Sequence, residues 1–436
     1  MKNFITANNK YKKSYQKYLK FETKNMQPNI KILWKKASGF EIQDKFNKKY
    51  IDFTSGIFAS NIGYKNKILE KHVKTAIDSG ICHTYNYYNF YRERYSQELI
   101  NFVGSKKLKK CFLVSSGTEA TEAALKFTRL YGTRINKKKN GIICLKGNWH
   151  GRTVGSQMLS GKNDQSKWIG FFDKNIFHIK FPYPWEVKNS DAKNFFHDSL
   201  KDVFKAKFNF KEKIAAIMLE TFQGWGAVFY PKEYIKTLER FCKKNKILLC
   251  FDEMQSGFGR TGKKFGYEHY SVKPDLICCG KGMGSGFPIA GVIARKDIID
   301  NPLVQGMSST HSANPVSCAA GLATIKVIKN LRLVKKADIL GRYLQKNLKE
   351  IKNSSSIVEN TLGKGLIASI IFNGNKKKSG KEFADFVSQE CLNNGLLVCN
   401  TGRESIKLGP PLIITLKALK KSLIIILKAI KKAEQM

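Results

Sequence analysis

Arginine is scarce in this chain: its 77 basic residues comprise 66 lysines and 11 arginines. Acidic residues are also few, 34 among 436, which leaves a formal charge of +43. Such a charge invites a nucleic-acid or anionic-membrane partner, because a basic surface gains free energy by releasing counterions from a polyanion. The shortage of arginine argues against that partner. Arginine is the residue that grips phosphates and bases with two parallel hydrogen bonds. The lysines, moreover, run along the whole chain in doublets such as Lys12-Lys13, Lys35-Lys36 and Lys243-Lys244. A general lysine-rich bias accounts for the charge, and neither a nucleic-acid nor a membrane partner is expected.

Other absences narrow the class further. The ten cysteines form no C-x-x-C pair and no Cys/His cluster of metal-ligand spacing, and Cys111, Cys144, Cys250 and Cys278 fall inside apolar runs. They read as reduced thiols of a cytoplasmic protein that binds no metal. The first twenty residues lack an apolar stretch, so no secretion signal is expected. No run is long enough to span a membrane. Near the end, Leu416, Leu419, Leu423, Ile426 and Ile430 make one helical stripe with Lys417, Lys420, Lys421 and Lys428 off it, the pattern of an amphipathic core-packing helix. Nucleotide-binding glycine motifs are missing too. Gly282-Met283-Gly284-Ser285-Gly286-Phe287 has Phe where G-x-G-x-x-G needs glycine, and no G-x-x-x-x-G-K-[ST] occurs.

What is present is a series of short apolar runs alternating with helix-length stretches: 111–115, 141–146, 176–181, 214–220, 246–252, 275–281 and 288–295. This alternation predicts an α/β fold with a mostly parallel sheet of about seven strands, covered by helices on both faces. The flanks differ in character. Residues 1–55 are expected to join a smaller α+β domain with residues 315–436, leaving 56–314 as the large domain.

Three of the runs end in a polar residue: Glu220, Asp252 and Lys281. Ligands of open α/β sheets bind beyond the carboxyl ends of the strands, so these three are expected to converge. A lysine partly desolvated there loses preference for its ammonium form and becomes a nucleophile. Ser115-Ser116-Gly117-Thr118 leads from a strand into a helix, whose first N–H groups suit a phosphate. An ordinary serine cap remains the alternative at this point.

Together the segments SSGTEA (115–120), NWHGRT (148–153), ETFQG (220–224), DEMQSGFGRTG (252–262), GKGMGSGFPIAG (280–291) and THSANPVSCAAGLA (310–323) resemble the class III aminotransferases. These are pyridoxal 5′-phosphate enzymes of fold type I. The resemblance implies that Lys281 holds the cofactor as a Schiff base and moves the proton, and that Asp252 pairs with the pyridine nitrogen. It further implies that Gln255 meets the phenolic oxygen, Trp149 stacks on the ring, and Ser116, Gly117 and Thr118 cradle the phosphate. Glu220 would organise the pocket floor, while His150 has no assigned role. Thr310 would reach the phosphate of a neighbouring subunit, which implies a homodimer with shared active sites. Phe58, Tyr85 and Tyr87 are candidates for the substrate channel.

Two departures from the family bear on substrate. Ornithine- and 4-aminobutyrate-type members carry a gating glutamate just after Q-G, where this chain has Trp225. Where many relatives read I-R-L-x-P-P-L, this chain has Lys407 in place of the arginine, with Arg403 upstream. The expected reaction moves a terminal amine of an ω-amino acid to a small 2-oxo acid such as pyruvate or 2-oxoglutarate, with Arg403 holding the acceptor's carboxylate. An aminomutase or decarboxylase of the same fold, or more remotely a non-catalytic nucleic-acid-binding protein, are the alternatives.

Overall fold

The computed structural model describes residues 32–304 and 306–436, together with 16, 17, 20, 21 and 23. By contact, the chain divides into two units. One comprises Met1–Asn66, Trp225–Ala227 and Lys335–Met436; the other comprises Lys67–Gly224 and Val228–Val334.

The larger unit is built on a seven-stranded sheet. Its strands are β1 (Lys110–Val114), β2 (Gly141–Leu145), β3 (Ile176–Ile179), β4 (Ile214–Glu220), β5 (Leu248–Asp252), β6 (Leu276–Cys279) and β7 (Ala290–Ala294). Each lies within or one residue outside an apolar run picked out in the sequence. The spatial order is β1-β7-β6-β5-β4-β2-β3. Five strands, from β6 to β3, run parallel, while β7 pairs antiparallel with both β6 and β1. Every residue of β2, β4, β5, β6 and β7 is buried. Continuous apolar runs rather than alternating ones are what a sheet covered on both faces requires.

The helix Gly117–Ile135 supplies one such cover. Its Ala120, Ala123, Ala124 and Phe127 pack with Val114, Ile142, Met218, Cys250, Cys278 and Val292 in one buried cluster. Alanines on that face let the helix axis come close to the sheet, which fixes where its N-terminus lies. All ten cysteines are free; Cys144, Cys250 and Cys278 are buried as expected, whereas Cys111 is only partly so.

Among the described residues the smaller unit holds two four-stranded sheets. One joins Trp34–Ser38, Glu41–Asp44 and Lys49–Asp52 to Leu396–Leu397; the other joins Val358–Lys364, Ile367–Phe372, Ser405–Leu408 and Cys399–Asn400. The terminal helix Leu416–Ala433 buries Leu419, Leu423, Ile426 and Ile430, but Leu416 in its first turn is 42% exposed. Among the described residues no helix is long and apolar enough to cross a membrane, and no cluster of side chains suits a metal ion.

Candidate active site

Strand register brings the first two polar ends together. Asp252, last in β5, sits directly beside Glu220, last in β4, and across from Cys278 in β6. Both carboxylates are buried. Lys281 follows three residues after Cys278, at the start of a single 3₁₀ turn, Lys281–Met283. Its φ of +48° places a non-glycine residue in the left-handed region. Conformations of this kind are costly and collect at functional sites, where the surrounding structure enforces them.

Close packing ties the lysine to the helix start. A Cβ added to Gly280 would lie 2.6 Å from Met254 Sδ and 3.7 Å from the Cα of Gly117, and one added to Gly117 would lie 2.9 Å from the same sulfur. Met254 is two residues beyond Asp252, and its N–H donates to Asp252 Oδ1 at 3.0 Å. Gly117, Met254 and Gly280 thus interlock, so the Ser116 cap, the aspartate and the lysine gather at one edge of the sheet.

Around the helix N-terminus, Ser116 caps Glu119 and Glu119 answers with a reciprocal bond to the Ser116 N–H. The cap alternative is therefore real, and it leaves the next N–H groups of the first turn without intrahelical acceptors. The Thr118 hydroxyl lies 2.8 Å from those of Thr153 and Ser156. Glu122 orders this cluster by accepting from the Ser156 N–H at 2.9 Å.

Glu220 links two of the expected cofactor contacts, Trp149 and Gln255, and also holds Gly224. Its Oε2 accepts from the N–H groups of Trp149 at 2.9 Å and Gly224 at 3.2 Å, and its Oε1 accepts from Gln255 Nε2 at 3.3 Å. Burial pushes its pKa up to about 7, partly opposed by His150, with the Asp252 charge adding to the rise. The Trp149 ring is flanked by cations, Arg152 at 4.9 Å and Lys162 at 5.2 Å.

The sequence left His150 without a role, and the structure places it against Asp252. Its Nδ1 lies 2.8 Å from Asp252 Oδ2, with both side chains buried. The signal was faint: a histidine beside Trp149 just past a strand end, with no sequence spacing to connect it to Asp252. Glu253 is another residue the sequence did not single out. It is buried and accepts from the hydroxyls of Thr221 and Ser256 and from the N–H groups of Gly266 and Tyr267, which pins the loop after β5.

The remaining candidates are placed differently. Thr310 is exposed in the single chain. Tyr85 is 44% exposed with its hydroxyl 3.0 Å from that of Ser308, and Tyr87 is 79% exposed. In the smaller unit, Phe58 is only 2% exposed, with Lys407 Nζ 4.5 Å from its ring centre and Gly409 packed against it. In the same unit the guanidinium carbon of Arg403 lies 3.9 Å from the ring centre of Trp225, and its Nη2 donates to Glu404 at 2.9 Å.

The donor set suits pyridoxal 5′-phosphate. A helix N-terminus with threonine hydroxyls takes a dianionic phosphate, a buried carboxylate takes a protonated pyridine nitrogen, and a lysine at the same sheet edge takes the aldehyde. A seven-stranded sheet of this order with such a site defines a pyridoxal-phosphate enzyme of fold type I. The chain belongs to the class III aminotransferase family, whose model matches residues 23–430. It is 33% identical over 395 residues to an acetylornithine aminotransferase of Archaeoglobus fulgidus, covering 90% of this chain and 94% of that protein. It is also 29% identical to a leucine/methionine racemase of Thermococcus litoralis, over 89% of this chain and 88% of that one. A transaminase structure from the marine bacterium Virgibacillus superposes with a TM-score of 0.87 at 26% identity, covering 97% of this chain and 99% of that chain. The protein is thus a pyridoxal-phosphate-dependent aminotransferase, with an amine and a 2-oxo acid as its substrates.

Proposed function

We propose that this aminotransferase takes the terminal amine of an ω-amino acid and passes it to a small 2-oxo acid such as pyruvate or 2-oxoglutarate. It would work in the cytoplasm as a homodimer with shared sites. The observation that carries the substrate reading is the exposed Arg403 guanidinium seated on Trp225, the residue in the family's gate position. Acetylornithine aminotransferases among its relatives support an amine remote from a carboxylate.

The bound cofactor supplies the aldehyde that takes up the amine and the ring that absorbs electrons from the reacting carbon. In this reading the chain's own residues do the rest. Asp252 holds a positive charge at the pyridine nitrogen, and His150 fixes the aspartate's orientation from behind through the 2.8 Å contact. Ser116, Gly117 and Thr118 anchor the phosphate. Trp149 covers the ring face while Glu220, through Gln255 and the Trp149 N–H, holds both in place. The Lys281 amine would hold the aldehyde and, when free, would hold and move a proton at its Nζ. Arg403 would orient the acceptor by its carboxylate, through a bidentate contact that the compact ammonium of Lys407, seated on Phe58, does not offer.

Borohydride reduction of the yellow holoenzyme is expected to leave a pyridoxyl group on the peptide containing Lys281; label on a different lysine would overturn that assignment. For substrates, a panel of terminal amines and α-amino acids against pyruvate and 2-oxoglutarate, with mass balance, tests the proposal. Turnover without a matching 2-oxo acid product would point to an isomerising or decarboxylating enzyme instead.

A further inference from the structure

The geometry points to Trp225 as a specificity-determining residue that holds Arg403 by its flat face and so keeps the guanidinium edge open to carboxylates throughout turnover. This rests on the reading of Arg403 as the carboxylate anchor.

At 3.9 Å from guanidinium carbon to ring centre, Arg403 lies against the face of the indole. Both partners have tethered backbones. The Ser405 hydroxyl donates to the Trp225 carbonyl at 3.3 Å, and the Ser369 hydroxyl donates to that of Gly226. Ser369 and Ser405 belong to neighbouring strands of one sheet. On the arginine side, the Thr401 hydroxyl donates to the Ser405 carbonyl at 2.9 Å and accepts from the Arg403 N–H at 3.3 Å. Ser405 therefore fixes tryptophan and arginine from one strand start.

A guanidinium carries five N–H donors in its plane and none on its faces. An indole stacked on the face removes no donor, and its attraction for the cation is electrostatic and modest. Glu404 takes one edge position, on Nη2, from a side chain 34% exposed beside an arginine 44% exposed. Ion pairs that open to water are weak, and a bidentate carboxylate displaces them. An acid in place of Trp225 would occupy the edge itself and compete with every incoming carboxylate. The indole has no charge to withdraw and no proton to gain. Arg403 is thus not switched between covered and open states, and the α-carboxylate of an amino-acid donor meets the same anchor as that of a 2-oxo acid. Amine transfer is reversible, so α-amino acids are donors as well, and here they meet an anchor that is not withdrawn.

The test uses the cofactor-loaded enzyme with glutarate, a carboxylate probe that has no amine. Its dissociation constant is read from the change in cofactor absorbance, alongside half-reaction kinetics with L-glutamate and 4-aminobutyrate. Trp225→Ala is expected to weaken glutarate by about 3- to 30-fold, the range of a cation–π contact, and Trp225→Phe to recover much of that loss. Trp225→Glu is expected to weaken glutarate by at least about tenfold at pH 8, with binding recovering towards pH 5 as the new carboxyl protonates, and to shift donor preference from L-glutamate to 4-aminobutyrate. Should Trp225→Ala fail to fold, the Phe and Glu variants carry the comparison, with thermal unfolding as the control. Unchanged glutarate binding and donor preference in the folded Trp225 variants would overturn the proposal. So would a donor shift produced by Glu404→Gln alone, which would make the edge acid the determinant. If Arg403→Ala bound glutarate as the wild type does, the anchor reading itself would fall, an outcome separate from the other two.

Discussion

His150 holds Asp252: Nδ1 of the imidazole and Oδ2 of the carboxylate lie 2.8 Å apart, both buried, at the carboxyl end of the central sheet. The imidazole fills one side of a carboxylate whose other oxygen accepts from the Met254 N–H. Replacing His150 by alanine leaves a buried carboxylate short of one partner. Hydrogen bonds to charged groups contribute roughly 1.5–3 kcal/mol, so His150→Ala is expected to lower urea-unfolding stability of the cofactor-free protein by that order. Cofactor affinity, followed by absorbance titration, should fall with it, and wild-type values for both would refute a positioning role.

The raised pKa of Glu220 gives a pH dependence with a definite sign. Its ordinary value is 4.5 and burial pushes it to about 7 in the folded chain. Below 4.5 both states hold the proton; between 4.5 and about 7 only the folded state does, so its contribution to stability is lost as pH rises through that window. Unfolding of the cofactor-free protein from pH 5 to 8 should therefore show a falling component that Glu220→Gln removes. A Glu220→Gln curve parallel to the wild type would contradict the raised value.

Gly151 allows no side chain. Its φ is +146°, and a Cβ there would lie 2.4 Å from both the Thr118 and Ser156 hydroxyl oxygens. Overpacking typically costs 1–3 kcal/mol, so Gly151→Ala is expected to lower the unfolding midpoint and to loosen phosphate binding by shifting Thr118, which inorganic phosphate competition against the cofactor would register. A variant with wild-type stability and cofactor affinity would mean the cluster adjusts freely.

Thr310, exposed in the single chain, is proposed to act across a dimer. Heterodimers of inactive Lys281→Ala and inactive Thr310→Ala subunits should regain part of the activity if each site draws these residues from different chains. Sedimentation at low micromolar concentration should show two chains together. Verified heterodimers without any recovery would count against sharing.

The inner strands of the central sheet were legible because they are nearly unbroken apolar runs, as a sheet covered on both faces demands from Ile214 to Leu219 and from Leu248 to Phe251. That Lys281, Asp252 and the helix entry at Ser116 stand just at or beyond strand ends was legible for a related reason. A polar residue or a Ser-Gly-Thr turn that ends such a run marks the strand terminus where ligands bind. The terminal helix was equally readable from its stripe, apart from Leu416, which lies in the first turn before the packed face begins.

Contacts between side chains far apart in sequence were decided only by the tertiary structure. Nothing local in NWHG indicates that His150 meets Asp252, because that depends on strands β2 and β5 being separated by β4 alone in the sheet order. Likewise nothing in the sequence pairs Trp225 with Arg403, although each stood out singly. Their stacking exists because Ser369 and Ser405, on paired strands, hold the backbone at Trp225 and Gly226 beside the turn that carries the arginine. The sequence determined the strand ends and the chemistry they bear, since apolar periodicity and chain order are local properties. Which cation meets which ring is set by register and packing, which are not.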